Sequence, residues 1–253
     1  MVEVFGKYAG ECDLLCIYAH PDDAELSSGG TIVKLTRSGG SVVLIDCTRG
    51  EMGTRGTPEI RLEESAKAAG ILGVKHRINM EMPDCNIKSN DENILEIIKI
   101  IRRFRPRAIM THPGFERHTD HEAVNRLVRE ANFKAGLAKI PTAWDGEPHE
   151  RFRTRRIYFS MQSYQFTEYP AFYVDISEAF EQMREAIEAY ESQIFIPGKS
   201  KEEGLSTRLY NLHFLEQKKS RSTYFGSLIG VRFAEAFQSI EPIGLENISS
   251  LLW

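Results

Sequence analysis

No stretch of this chain comes near the roughly 18 consecutive apolar residues that a membrane-spanning helix needs, so neither a span nor a membrane partner is expected. The opening MVEVFGKYAGECDLL has no basic start and no long apolar run, and does not read as a secretory leader. Cysteine is scarce: Cys12, Cys16, Cys47 and Cys85 fall at no CxxC spacing, and three of them lie in or beside apolar runs. That argues against a cysteine-rich metal site and for packed free thiols in a reducing, cytoplasmic setting. Positive charge is not in excess either. A formal net charge of −4 argues against nucleic acid as a partner, because neutralising phosphates requires a basic face. The segments RRFRPR (102–107) and RFRTRR (151–156) read as solvated helix ends and loops. There is no internal repeat, no low-complexity tract, and no GxGxxG opening the first helix.

What is present is a globular composition, 42% hydrophobic and 27% charged over 253 residues, ample for one core. Strand-like and helix-like segments alternate: DLLCIYA (13–19), then GGTIVKLTRSGG (29–40); SVVLIDC (41–47), then PEIRLEESAKAAGILG (58–73) between proline and glycine. KHRINM (75–80) precedes the amphipathic ENILEIIKIIRRF (92–104), and RAIMTH (107–112) precedes HEAVNRLVREANF (121–133). Four such repeats predict an α/β fold, a mostly parallel sheet with helices on both faces. The second half is less regular. RIYFSM (156–161), AFYVDI (171–176) and VRFAEAFQ (231–238) read as strands, 177–193 and 209–225 as helices, and 194–204 as a charged loop. The expectation is a single domain over 1–253. Residues of about 13–135 form its α/β core, and 136–253 complete the sheet and the substrate site.

Ligands of parallel sheets collect beyond the carboxyl ends of the strands. There this chain concentrates ionisable groups. AHPDDAE (19–25) follows the first strand and supplies His20, Asp22, Asp23 and Glu25; the loop after the fourth supplies His112, His118, Asp120 and His121. Zinc accepts imidazole nitrogen and carboxylate oxygen, and catalytic sites use three protein ligands with one open position. His20, Asp23 and one histidine of HTDH make a two-histidine, one-carboxylate set. Asp22, pointing elsewhere than its neighbour, is then placed as a base beside a polarised water. The remaining histidine can donate to a developing oxyanion, with Asp120 orienting it.

Each histidine taken alone is more often a packing or hydrogen-bonding residue than a ligand. An acidic pair after the first strand also occurs in phosphoryl-accepting receiver domains. Here, however, Asp46 ends the second strand rather than the third, Asp84 comes late, and no lysine ends a fifth strand.

AHPDDAE (19–25), TRGEMGTRGT (48–57), RLEESAKAAGILG (61–73) and ERHTDH (116–121), in that order, resemble the LmbE/PIG-L zinc-dependent N-acetylglucosamine deacetylases. YVDISEAFEQMREAIEAYESQ (173–193) and YFGSLIGVRFAEAF (224–237) resemble the bacillithiol-biosynthesis branch, which deacetylates N-acetylglucosaminyl-malate. The resemblance implies a Rossmann-like sheet and a cytoplasmic metal-dependent hydrolase, one that releases acetate and a free amine from a small sugar conjugate. It implies His20, Asp23 and His121 as ligands of Zn2+, or of Fe2+, which accepts the same set. Asp22 would be the general base, and His118 the oxyanion donor supported by Asp120. Glu25 would brace the turn. The family often assembles, so a homo-oligomer is expected. Thr119 stands where many members have proline, with no ligand lost.

For the malate carboxylates, paired guanidinium hydrogen bonds point to Arg61 and Arg117. The bland reading of both is a surface ion pair. Glu51 either accepts sugar hydroxyls or caps its own loop. The alternatives are the same reaction on another N-acetylglucosamine or thiol conjugate, and a metal- or sugar-binding module without turnover.

Overall fold

Alternating faces of the strands explain the layers. The structure, a computed structural model, describes residues 1–8, 10–200, 206–245 and 247. In β2 (Leu14–Tyr18), Leu14, Cys16 and Tyr18 enter one apolar cluster while Leu15 and Ile17 enter another. The first cluster joins β2 and β3 (Val42–Thr48) to α1 (Asp23–Arg37), α2 (Pro58–Leu72) and α5 (Phe180–Glu188). The second joins the opposite face to α3 (Asp91–Phe104) and α4 (Thr119–Ala135). Side chains of a strand alternate with period two, so one buried run feeds two cores and must be apolar throughout.

β4 (His76–Met82), β3, β2, β5 (Ala108–Thr111) and β8 (Ile157–Ser160) run parallel in that spatial order. β10 (Ala234–Ser239) is antiparallel to β8, and β9 (Phe172–Asp175) pairs antiparallel with β10. At the far edge β1 (Val2–Phe5), a segment given no role above, pairs antiparallel with β4. The expected mostly parallel sheet with helices on both faces is therefore present, with antiparallel edges. α6 (Phe214–Ile229) packs on the β9–β10 end, and β6 (Ala143–Trp144) and β7 (Glu147–Pro148) form a separate hairpin. Among the described residues no helix is long and apolar enough to cross a membrane.

Several boundaries depart from the sequence reading. The helix read over 209–225 spans Phe214–Ile229, since 209–213 are bends and turns. α1 begins at Asp23 rather than at the glycine pair, so the last three residues of AHPDDAE are helix. Gly29 and Gly30 lie inside it for close packing: a Cβ on Gly30 would come 2.8 Å from the Ile176 side chain. The helix read over 177–193 spans only Phe180–Glu188, because Ser177 bonds to Asp175 and the chain tightens into turns after Ala189. The loop read over 194–204 is described only to Ser200; the rest lies outside the described residues.

Candidate active site

The chain leaves β2 through His20 and Pro21 and enters α1 at Asp23, with Asp22 between them at φ 113°. A positive φ is uncommon outside glycine, although aspartate tolerates it better than most residues. Such backbone costs on the order of 1–3 kcal/mol and persists where the surroundings enforce it. Here Arg61 does so. Its Nη2 donates to the Pro21 carbonyl at 2.6 Å and to Asp22 Oδ2 at 3.1 Å, and its Nη1 to the Gly50 carbonyl at 3.2 Å. Gly50 must be glycine, since φ is 68° and a Cβ would collide with the Arg61 guanidinium. The turn thus sends Asp22 to one side and Asp23 to the other.

Asp23 is the hub. Its Oδ2 lies 3.2 Å from His20 Nδ1, 3.3 Å from His112 Nε2 and 3.4 Å from His121 Nε2. Its Oδ1 accepts the Gln162 amide at 2.7 Å. Burial alone would raise the Asp23 pKa, but His121 and His112 outweigh it and hold the carboxyl well below the usual range. His112 packs flat on His121, ring centroids 3.9 Å apart, and its Nε2 accepts the Ala19 N–H at 3.0 Å. Its Nε2 is thus shared between that N–H and Asp23, and Asp23, His112 and His121 form a donor group of their own. The His20 and His121 rings lie 5.5 Å apart.

The spacings of His20 and His121 from Asp23 suit a divalent cation. Donors on adjacent corners of a tetrahedron with bonds of ~2.0–2.1 Å lie about 3.3 Å apart, and Asp23 Oδ2 stands 3.2 and 3.4 Å from the two nitrogens. The Gln162 bond to the other oxygen orients the carboxylate, as outer partners of metal ligands do. Among the described residues three donor groups come within 4.8 Å of one another: His20, His118 and His121; Asp23, His112 and His121; and His20, Asp84 and Asp120. His20, Asp23 and His121 share no single group, so Asp23 is the link between them.

Around the hub lie the remaining groups. Burial pushes the Asp22 carboxyl up to about 7, with Arg61 pulling against it. His118 caps α4, its Nδ1 accepting the Asp120 N–H at 3.2 Å. Burial, then His20 and His121, lower its pKa. The ring is therefore neutral at pH 7 with its proton on Nε2. Beneath the turn, Glu25 accepts from Arg77 at 2.6 Å and from the Tyr190 hydroxyl at 3.1 Å, so it braces α1 from the core.

Three expectations meet a different geometry. Asp120 does not orient His118 through its carboxylate, whose oxygens accept the Cys85 and Ile87 N–H groups at 2.7 and 3.4 Å and stand 3.5 Å from His20 Nε2. Arg61 is buried and holds its own chain, and its bland reading fails too, because Glu64 bonds Ser192 instead. Glu51 accepts the Asp84 N–H at 2.8 Å, the loop-holding alternative. Arg117 lies exposed on the wall of the cleft over this centre, a cavity of about 360 Å³.

Sequence reasoning named Asp84 only in setting aside a receiver domain, and passed over Gln162 and Arg221. Arg221 donates to the Gln162 and Ser163 carbonyls, while Glu116 accepts the Ser163 and Tyr164 N–H groups at 2.8 and 3.1 Å. Asp84 and Gln162 each lie two residues past the end of a parallel strand, the one signal that could have found them.

Residues 15–132 match the family described as PIG-L: GlcNAc-PI de-N-acetylase. The chain is 32% identical to the diacetylchitobiose deacetylase of Thermococcus kodakarensis over 246 residues, covering 92% of this chain and 84% of that one. It is 30% identical to the 1D-myo-inositol 2-acetamido-2-deoxy-alpha-D-glucopyranoside deacetylase of Thermobispora bispora, covering 59% of each. Among solved structures, the conserved protein TT1542 of Thermus thermophilus superposes with a TM-score of 0.80 at 37% identity, over 92% of this chain and 97% of that one. The N,N'-diacetylchitobiose deacetylase of Pyrococcus horikoshii does so at 0.74 and 25%, over 92% and 84%. With that likeness running nearly end to end, the chain belongs to the PIG-L/LmbE family of deacetylases.

Proposed function

We propose that the protein hydrolyses the N-acetyl group of an N-acetylglucosamine conjugate, with His20, Asp23 and His121 holding zinc. The observation that carries this reading is the Asp23 hub, ligand-spaced from two imidazoles and flanked by Asp22 on the cleft wall. A divalent cation there supplies Lewis acidity toward the amide carbonyl and makes water a better acid. Asp22, tethered by Arg61, accepts the proton of the attacking water as a carbon–oxygen bond forms at the acetyl carbonyl. His118 donates its Nε2–H to the oxygen where negative charge develops. The carbon–nitrogen bond then breaks, the amine takes the proton from Asp22, and acetate leaves. A binding module needs neither the base nor the donor.

The aglycone we assign is anionic, with the malate glycoside as the candidate. The relatives above are named for diacetylchitobiose and a myo-inositol glycoside and lend malate no support. The argument is electrostatic. Arg117, Arg208, Lys218 and Arg221 line the same cleft. Arg208 and Arg221 have pKa values lowered first by burial and next by the neighbouring guanidinium, Arg117 for the one and Arg208 for the other. Among the described residues no acidic side chain pairs with Arg117, Arg208 or Lys218. Glu116 faces Arg208 and Arg221, and Glu235 faces Lys218, but neither makes an ion pair with them. A cluster of four cations in one cleft favours an anionic guest.

Acetate release from the malate, chitobiose and inositol conjugates, with and without chelator, tests both levels. Loss with chelator and recovery with Zn2+ are expected, with kcat/KM highest for the malate conjugate. Release unaffected by chelator refutes the metal reading, and equal rates on neutral conjugates refute the anionic aglycone.

A further inference from the structure

We propose that Asp84 is a positioning residue for His20: its carboxylate keeps the ring proton on Nε2 and leaves the Nδ1 lone pair directed toward Asp23. The inference rests on the metal reading above and adds a residue that neither the motifs nor that reading assigns.

His20 Nε2 faces two carboxylates, Asp120 Oδ2 at 3.5 Å and Asp84 Oδ1 at 3.0 Å, and the nearer one is the contact that matters. Nδ1, on the other side of the ring, lies 3.2 Å from Asp23 Oδ2. An imidazole that binds a cation through one nitrogen gives the proton of the other to an acceptor, and that acceptor sets tautomer and ring angle. Asp84 is itself fixed from three directions. Its Oδ2 accepts the Met52 N–H at 2.9 Å, and its own N–H donates to Glu51 Oε1 at 2.8 Å. The next residue, Cys85, has φ 59° and donates its N–H to Asp120 Oδ2 at 2.7 Å. A non-glycine residue in that region is strained, and strain of this kind persists where neighbours over-determine it. Here the strained turn after β4 aims one carboxylate at His20, and the loop at 48–53 locks it. This also gives Glu51 its part, holding Asp84 rather than a sugar.

A rival arrangement uses the same atoms. His20, Asp84 and Asp120 donors lie within 4.8 Å of one another, so a second cation could be held between them. A 3.0 Å contact suits either a hydrogen bond or two donors on one cation, so stoichiometry separates the two.

The test is Zn2+ titration of chelator-stripped protein against a chromophoric competitor, comparing the parent, Asp84→Asn and Asn86→Ala. Asparagine keeps an acceptor for Met52 but sets an amide donor against His20. Asn86 is exposed in the same turn and makes no side-chain bond among the described residues. The expected result is one equivalent in the parent and about 10–100-fold weaker binding in Asp84→Asn, the usual effect of removing an outer partner. Asn86→Ala should bind within about twofold of the parent on that scale, and the stripped variants should melt alike. The d–d spectrum of Co2+-loaded Asp84→Asn should also shift, which a general loss of stability would not cause. Equal affinity in Asp84→Asn overturns the inference while leaving the metal reading intact, as do two equivalents in the parent with one lost in the variant. A parent that binds no Zn2+ overturns both. If Asp84→Asn does not fold, Glu51→Gln, which loosens the same carboxylate from outside, takes its place, and unchanged affinity there counts against the inference.

Discussion

Replacing Asp22 with asparagine separates its cost to folding from its use in catalysis. Asparagine tolerates the positive φ and still offers Arg61 an acceptor, so the turn should survive. The folded carboxyl titrates near 7 because of burial, offset in part by Arg61, against about 3.9 in the unfolded chain. A folded pKa above the unfolded one means that stability is full below about 4 and is lost as pH rises toward 7. Roughly three units at 1.36 kcal/mol each amount to about 4 kcal/mol of destabilisation of the metal-free wild type above pH 7. The variant, neutral throughout, avoids that loss. For a chain of this size its melting temperature at pH 8 should exceed that of stripped wild type by on the order of 10 °C. The gap should close as pH falls to 4. Adding Zn2+ should narrow it, because a nearby cation stabilises the carboxylate. Turnover should fall by about two to four orders of magnitude with Zn2+ still bound. Scanning calorimetry of stripped protein at pH 4 and pH 8 and a single-turnover acetate assay are sufficient. Equal melting at pH 8, or activity within tenfold of wild type, would refute the reasoning.

Three further outcomes are expected. His121→Ala should lose metal and activity together, read by elemental analysis and acetate release; full zinc occupancy would remove it from the ligand set. Arg208→Ala should raise KM several-fold for an anionic conjugate at unchanged kcat, about 1 kcal/mol for an exposed charge, with the effect fading in high salt. An effect equal on a neutral conjugate would contradict an electrostatic role. Gly30→Ala, whose new methyl would press on Ile176, should cost about 1–3 kcal/mol by denaturant unfolding; no loss would mean that α1 and the Ile176 segment have slack.

The sequence by itself determined the alternation that builds a parallel sheet, since apolar period and glycine or proline punctuation are local properties. It also determined that HPDD and HTDH each follow a strand, and so that their side chains share one end of the sheet. Tertiary structure decided how those side chains are used. Asp120 turns its carboxylate to the N–H groups of Cys85 and Ile87 because the 83–87 turn folds under it. Arg61 reaches Pro21 and Asp22 across a gap opened by Gly50, and Gln162 reaches Asp23 from the far half of the chain. Hydrogen bonds of a few ångströms between residues tens of positions apart leave no periodic trace in the sequence. They exist only once the strands have placed their ends together.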